Sequence, residues 1–151
     1  MRSITSGWSD KDYAAGVMQA IVYHRYGPPG VLQVAKVARP TPAANEVLIR
    51  VRAASVNPYD WHFLRGSPYG IRFMTGLRRP KYPQLGADLA GEVEAIGTQV
   101  TLCKPGDAVF GMGRGAFAEY ACAPETALAL KPANVTFEQA AATPIAALTA
   151  L

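Results

Sequence analysis

The chain has 151 residues, of which half are apolar and 17% are charged. This composition is typical of one globular domain that is large enough to bury a core of its own. The net charge of +4 is too small to indicate a nucleic-acid-binding protein. No apolar segment is long enough to span a bilayer, and the first residues lack the apolar core of a signal peptide. We therefore expect no nucleic-acid partner and no membrane partner.

The cysteines and histidines do not indicate a metal centre. Cys103 and Cys122 form no C-x-x-C motif and have no metal-binding spacing to His24 or His62. Two cysteines without such a pattern are typical of a reduced compartment, so the sequence predicts a cytoplasmic protein.

Short β-prone segments, separated by glycine and proline, dominate most of the chain. Residues 1–17 are instead rich in Ser, Gly, Asp and Lys, which predicts a poorly ordered extension. Strands are predicted at residues 19–24, 32–37, 47–56, 92–96, from 109, 116–123 and 128–131. In the longest of these, apolar residues alternate with Arg50 and Arg52, which could pair across strands with Glu92 and Glu94.

Glycines recur through the segment 86–111, at positions 86, 91, 97, 106 and 111. They predict sharp corners and close backbone approaches in a compact β-structure. The segment contains neither G-x-x-x-x-G-K-[ST] nor G-x-G-x-x-G between a strand and a helix. It is therefore not predicted to bind a nucleotide phosphate.

A short helix is predicted after the longest strand. Asn57 is a favoured N-cap, Pro58 suits the first helical position, and Gly66 ends the helix. Residues 66–85 then predict a loop with four basic residues, Arg72, Arg78, Arg79 and Lys81. These side chains are either solvated or in contact with a cofactor phosphate or an acidic substrate.

Two further helices are predicted near the C-terminus. Thr136 and Gln139 have the spacing of a capping box, and Pro144 suits the start of the next helix. The sequence stops inside this second, apolar helix without a glycine cap. We therefore expect the chain to be part of a longer protein.

Five motifs occur in a recognisable order. They are A-S-V-N-P-Y-D at 54–60, L-G-A-D-L-A-G at 85–91, P-G-D at 105–107, G-A-F-A-E-Y at 115–120 and A-A-A-T-P-I-A-A-L-T-A-L at 140–151. Over about residues 19–151 the chain resembles the N-terminal, GroES-like catalytic domain of the medium-chain dehydrogenase/reductase superfamily. The resemblance implies a mainly β (α+β) fold, a partly open β-barrel with short helices, over 18–135. Residues 136–151 would form the helical joint to a Rossmann cofactor domain.

Three positions separate this chain from the zinc-dependent members of that superfamily. The positions that match the zinc ligands fall on Asn57, on Ala87 and near Ile145, and none of these residues is a plausible zinc donor. The four-cysteine lobe that holds structural zinc is also missing. The chain is therefore similar to the zinc-independent, quinone oxidoreductase-like branch. That resemblance implies hydride transfer from NADPH, or NADH, to a small quinone, enone or related carbonyl compound, and allows a homodimer of the full-length protein.

Four residues are candidates for the reaction site. Without a metal, a hydrogen-bond donor must stabilise the developing enolate oxygen, and the Asn57 amide could do so while it also caps the helix. Tyr59 matches a proton-relay hydroxyl and Asp60 an acidic neighbour of the site; the alternatives are a packed aromatic and a helix-dipole charge. Thr149 matches a threonine that contacts the nicotinamide, and otherwise its hydroxyl would bond the i−4 carbonyl. We predict Asn57, Tyr59 and Asp60 as catalytic, Asn57 and Thr149 as cofactor-binding, and no metal ligand.

The Rossmann glycine fingerprint that binds the cofactor pyrophosphate does not occur in these residues. We therefore expect the 151 residues alone neither to bind NAD(P)H tightly nor to turn over substrate. Two other functions stay open on the sequence: a zinc-type alcohol dehydrogenase domain with unusual ligands, and a non-catalytic GroES-like binding module.

Overall fold

The computed structural model describes residues 16–151. Within that range the strands are β1 Val17–Val22, β2 Gln33–Ala38, β3 Glu46–Ala54, β4 Asp88–Ile96, β5 Ala108–Met112, β6 Tyr120–Pro124 and β7 Leu128–Leu130. The helices are α1 Pro58–Arg65, α2 Ile71–Thr75, α3 Phe137–Ala141 and α4 Pro144–Ala150, with 3-10 turns at Pro29–Val31 and Glu125–Ala127.

The strands form two antiparallel sheets. One contains β1 and β2, and the other has the order β6-β3-β4-β5-β7. Isolated bridges from Ala20 to Ala118 and from Val22 to Gln84 attach β1 to the segments that flank the larger sheet. The strands described do not close into a barrel. Seven strands in two sheets, with short helices, confirm the predicted mainly β fold.

The largest part of the core lies against one face of the larger sheet. Its fully buried side chains come from alternate positions of the central strands and include Val47, Ile49, Leu89 and Val109. The intervening residues Leu48 and Ala90 are buried in smaller clusters. No helix among residues 16–151 is long and apolar enough to cross a bilayer.

The charged pairing expected between β3 and β4 is partly present. Arg52 contacts Glu92 at 2.9 Å, but Glu94 contacts Arg39, from the segment after β2, at 2.8 Å. Arg50 lies opposite Glu92 in the strand register without an ion pair between them. Because these charges are well exposed, each ion pair stabilises the fold only slightly.

The predicted helix ends are confirmed. Gly66 has φ +58° at the end of α1. The Thr136 side chain accepts a hydrogen bond from the Gln139 amide at 3.2 Å, and the Gln139 side chain accepts one from the Thr136 amide at 3.0 Å. α3 then packs Ala140 and Ala141 onto Ala90 of β4. These contacts place the two C-terminal helices against the larger sheet.

Helix α2 corrects the prediction that residues 66–85 are only a loop. The Tyr26 hydroxyl lies 2.8 Å from Thr75 Oγ1 and donates a 2.6 Å hydrogen bond to the Gly76 carbonyl. Because Tyr26 is distant in sequence, no local pattern could indicate this stabilisation. Smaller differences lie at strand ends: β4 begins before residue 92, and β6 begins at Tyr120 rather than at 116.

The predicted N-terminal extension falls mainly on residues 1–15, which lie outside the described residues. Gly16 is a turn residue, and its carbonyl accepts a hydrogen bond from the Arg39 amide at 2.7 Å. Val17 already begins β1, two residues before the predicted strand at 19–24.

Gly91→Ala tests the close approach of β3 and β4. A Cβ atom at position 91 would meet the carbonyl oxygen of Arg50 and lie 2.8 Å from Ile49 Cγ2. We expect the substitution to lower the free energy of unfolding by about 1–3 kcal/mol, because the backbones must separate. Gly30→Ala is the matched control, since a Cβ there meets nothing within 4 Å. Urea denaturation that shows equal stability for both variants would contradict this account.

Candidate active site

Asp60 fastens the start of α1 to the segment before β4. Its carboxylate is buried; Oδ2 accepts a hydrogen bond from the Asn57 amide at 2.8 Å and Oδ1 accepts one from the Gly86 amide at 3.0 Å. Burial raises the pKa of Asp60 above its ordinary value, while these hydrogen bonds act in the opposite direction. The arrangement fits a structural role, and the predicted catalytic role stays a prediction.

The side chain of Asn57 points towards a second buried carboxylate. Its Nδ2 atom donates to Ser55 Oγ at 3.0 Å and to Asp88 Oδ2 at 3.1 Å. The Asn57 amide group is half-buried, and these two acceptors fix its orientation. These two bonds use both N–H groups of the side chain, and the backbone N–H donates to Asp60, so only Oδ1, an acceptor, is left over. The predicted role of Asn57 as an oxyanion donor stays a prediction.

Asp88 is the residue at the centre of the site, and sequence reasoning noted it only as part of a motif. It is fully buried at the start of β4, and its Oδ2 atom accepts hydrogen bonds from Ser55 Oγ at 3.2 Å, Asn57 Nδ2 at 3.1 Å and the Ile145 amide at 3.1 Å. Its Oδ1 atom is buried without a hydrogen-bond partner among the described residues. The sequence did contain a signal for this residue, because Asp88 stands between the apolar residues Ala87 and Leu89. An acidic residue in such a buried segment is expected to have hydrogen-bond partners, since carboxylates are seldom fully buried without them.

Two of the three positions that match zinc ligands by resemblance bond this carboxylate, and the third precedes it in the chain. The Asn57 side chain and the Ile145 backbone amide both bond Asp88 Oδ2, and Ala87 precedes Asp88 in the chain. All the donors that bond Asp88 Oδ2 are therefore neutral groups. Within residues 16–151, no three His, Cys, Asp or Glu side chains are arranged to hold a metal ion.

Thr149 lies one turn beyond Ile145 on α4. Its hydroxyl donates to the Ile145 carbonyl at 2.7 Å, and the residue is exposed. The structural alternative, a bond to the i−4 carbonyl, is therefore present. The oxygen keeps lone pairs that can accept a hydrogen bond, so the predicted cofactor contact stays a prediction.

A cavity of about 490 Å³ lies beside α1. Its wall includes Tyr59, Phe63, Met74, Tyr82 and Arg114. Of the four candidates from the sequence, only Tyr59 lines it; the other three are not part of its wall.

Tyr59 presents its ring to this cavity from the first turn of α1. The ring packs on Phe63 with centroids 4.1 Å apart, and the residue remains 46% exposed. Partial burial is the main cause that raises the pKa of the Tyr59 hydroxyl, and the charge of Asp60 raises it further. The charge of Arg114 lowers it. The net shift is upward, so the hydroxyl keeps its proton at neutral pH.

Neither thiol offers a nucleophile. Both cysteines are free, and Cys122 also lines the cavity. Burial raises the pKa of Cys122 to about 11 and raises that of Cys103 as well. Because the thiolate is the reactive form, both side chains are inert at neutral pH.

Comparison with known proteins identifies the fold. Residues 43–133 match the alcohol dehydrogenase GroES-like domain family. The chain belongs to this family. The chloroplastic quinone-oxidoreductase homolog of Spinacia oleracea is 39% identical over 142 residues, which are 91% of this chain and 42% of that protein. The quinone oxidoreductase of Sus scrofa is 38% identical over 138 residues, covering 89% of this chain and 40% of that protein.

Solved structures agree with the sequence relatives. The quinone oxidoreductase from Coxiella burnetii has a TM-score of 0.81 at 35% identity, over 89% of this chain and 43% of that one. The Escherichia coli quinone oxidoreductase complexed with NADPH has a TM-score of 0.75 at 31% identity, over 87% of this chain and 38% of that one. This GroES-like domain therefore spans roughly two fifths of the length of the relatives it matches. The predicted family resemblance is confirmed.

Asp88→Ala tests the central carboxylate. The substitution leaves the donors of Ser55, Asn57 and Ile145 without their shared acceptor, so we expect a loss of about 3 kcal/mol or more in the free energy of unfolding. Asp88→Asn keeps an acceptor oxygen and should lose less. Glu92→Ala, on the same strand but with an exposed ion pair, should change stability by at most about 1 kcal/mol. Urea midpoints that rank Glu92→Ala as the more damaging change would refute the central role of Asp88.

Proposed function

We propose that this GroES-like domain shapes the substrate pocket of a zinc-independent, NAD(P)H-dependent oxidoreductase that reduces a quinone, an enone or a related carbonyl compound. The observation that carries the proposal is the hydrogen-bonded group of Asp88, Asn57 and Ile145, which joins two of the three positions that match zinc ligands. Relatives named quinone oxidoreductase, one of them complexed with NADPH, support the reaction class and the cofactor.

The residues present fit the nicotinamide end of such a cofactor. The exposed Thr149 hydroxyl can accept a hydrogen bond, and Asn57 presents a fixed amide close to the start of the same helix. When bound, the reduced cofactor supplies the hydride. The described residues contain no glycine-rich turn before a helix, so the pyrophosphate would need a second domain.

The chain's own groups stabilise and protonate the product in this proposal. Asn57 acts as a donor towards the oxygen that gains negative charge once one of its Nδ2 hydrogens leaves Ser55 Oγ or Asp88 Oδ2. The Tyr59 hydroxyl, protonated at neutral pH and facing the cavity, is the proton donor. Asp60 acts through α1, since backbone amides occupy both of its oxygens. Asp60 positions α1, which carries Tyr59 and begins directly after Asn57.

We also propose that α3 and α4, within residues 136–151, join residues 18–135 to a cofactor-binding domain. The relatives are more than twice as long as the matched segment, which supports a further domain in this protein. On α4, Leu148 is 64% exposed and Thr149 is exposed as well. Both side chains are available to a neighbouring domain.

The activity is tested on the full-length protein with NADPH and NADH against a panel of quinones and enones, with and without a chelator. We expect substrate-dependent oxidation of the cofactor that the chelator does not change, and no saturable NADPH binding by the 151 residues alone. Loss of activity on chelation would favour the zinc-type alternative. A complete lack of turnover on every substrate would favour a non-catalytic binding module.

Asn57→Ala tests the donor. Removal of one oxyanion donor should lower kcat about 100-fold or more, with little change in KM. Ser55→Ala is the matched control, because it removes another donor from the same oxygen of Asp88. If Ser55→Ala lowers kcat to the same extent, Asn57 acts only by supporting the structure.

A further inference from the structure

The segment 69–82 combines exposed apolar side chains with basic residues, of which Arg72 is partly buried and the other three are exposed. Within residues 69–82, five large apolar side chains are 54% to 81% exposed: Tyr69, Phe73, Met74, Leu77 and Tyr82. Four basic residues lie among them, Arg72, Arg78, Arg79 and Lys81. We call these nine residues the basic–apolar face. Such a concentration of exposed apolar side chains on a soluble domain indicates an interaction surface.

The charge of the chain is concentrated at this face. Five of the 15 Lys and Arg residues, but none of the 11 Asp and Glu residues, lie between positions 61 and 87. The remainder of the chain has a net charge of −1. The net positive charge of these 151 residues therefore comes from this segment, which selects an anionic partner.

Hydrogen bonds to buried groups fix the backbone of the basic–apolar face. Thr75 is buried, and its carbonyl accepts a 2.6 Å hydrogen bond from the Lys81 amide, while the Tyr26 hydroxyl bonds the Gly76 carbonyl. Arg72 Nε donates to the Gly66 carbonyl at 3.0 Å. These bonds anchor α2 through Thr75 and leave Phe73 and Met74 exposed. Within these 151 residues, the exposure is therefore a property of the folded segment.

A lipid surface is the partner that matches both features. Apolar and aromatic side chains insert at the boundary of headgroups and acyl chains, while Lys and Arg contact anionic headgroups. A soluble polyanion would use the charges and leave the apolar side chains in water. A second copy docked through the same face would bring positive charges together, with no acidic residue in the segment to neutralise them.

We propose that the basic–apolar face docks this protein onto an anionic membrane surface. The sequence predicted no membrane partner because it lacks a spanning segment, but surface docking requires none. Met74 and Tyr82 belong both to this face and to the cavity wall. Docking would therefore bring the cavity against the bilayer, where apolar compounds concentrate. The docking does not depend on the proposed reaction.

The test is co-sedimentation with vesicles of phosphatidylcholine alone and of phosphatidylcholine and phosphatidylserine in equal parts. We expect binding only to the second kind, weakened by added salt. Arg78→Gln with Arg79→Gln should lower the partition constant about fivefold per charge removed. Phe73→Ser with Leu77→Ser should lower it as well, and neither residue lines the cavity.

Matched double variants elsewhere on the surface serve as controls. Arg50→Gln with Lys104→Gln removes two exposed charges, and Val34→Ser with Leu102→Ser removes two exposed apolar side chains. Both pairs should bind as the wild type does. If they weaken binding as much as the variants in the face, the docking surface is not the one proposed.

Three results would overturn the proposal. The first is equal binding to both kinds of vesicle, or to neither, by the wild-type protein. The second is binding to polyglutamate that competes with the vesicles while Phe73→Ser with Leu77→Ser has no effect, which indicates a charge-only site. The third is a dimer in sedimentation velocity that this same variant abolishes without any vesicle binding by the wild type. The wild-type measurements decide the matter even if a variant fails to fold.

Discussion

The buried carboxylate of Asp88 holds together two segments that are far apart in the chain, residues 55–57 and the first turn of α4. It accepts hydrogen bonds from the end of β3, from the residue that precedes α1, and from the first turn of α4. A buried carboxylate is costly unless donors surround it, so the charge and its donors require one another. The relative position of Asn57 and Thr149 therefore depends on a residue that itself has no direct role in the proposed chemistry.

In the zinc-independent enzyme proposed above, this constraint would organise the site in place of a metal ion. In a zinc centre, convergent ligands are held by the ion, which also polarises the substrate. Here a carboxylate draws the matching positions together by accepting hydrogen bonds. In the proposed reaction, fixed neutral dipoles rather than a metal ion would supply the electrostatic stabilisation. The raised pKa of Tyr59 belongs to the same environment, because burial keeps its proton in place.

Much of the fold could be predicted from the sequence, because strands, caps and turns are encoded by residues close to one another. The capping box of Thr136 and Gln139 is one example. What could not be predicted depends on contacts between distant residues. The helix α2 needs Tyr26, and the importance of Asp88 depends on donors from residues 55, 57 and 145. Motifs supplied the candidate residue types, but not their separation or their position relative to the cavity.

The two buried carboxylates position different parts of the site. Asp60 takes its hydrogen bonds from backbone amides, which almost any sequence would provide. Asp88 takes two of its three from the side chains of Ser55 and Asn57. The charge of Asp88 also raises the pKa of Asp60, although less than burial does. Substitution of Ser55 or Asn57 can therefore change the donors around Asp88 while Asp60 still holds the start of α1 to the segment before β4. The side chains of the site can change in this way without a change of fold.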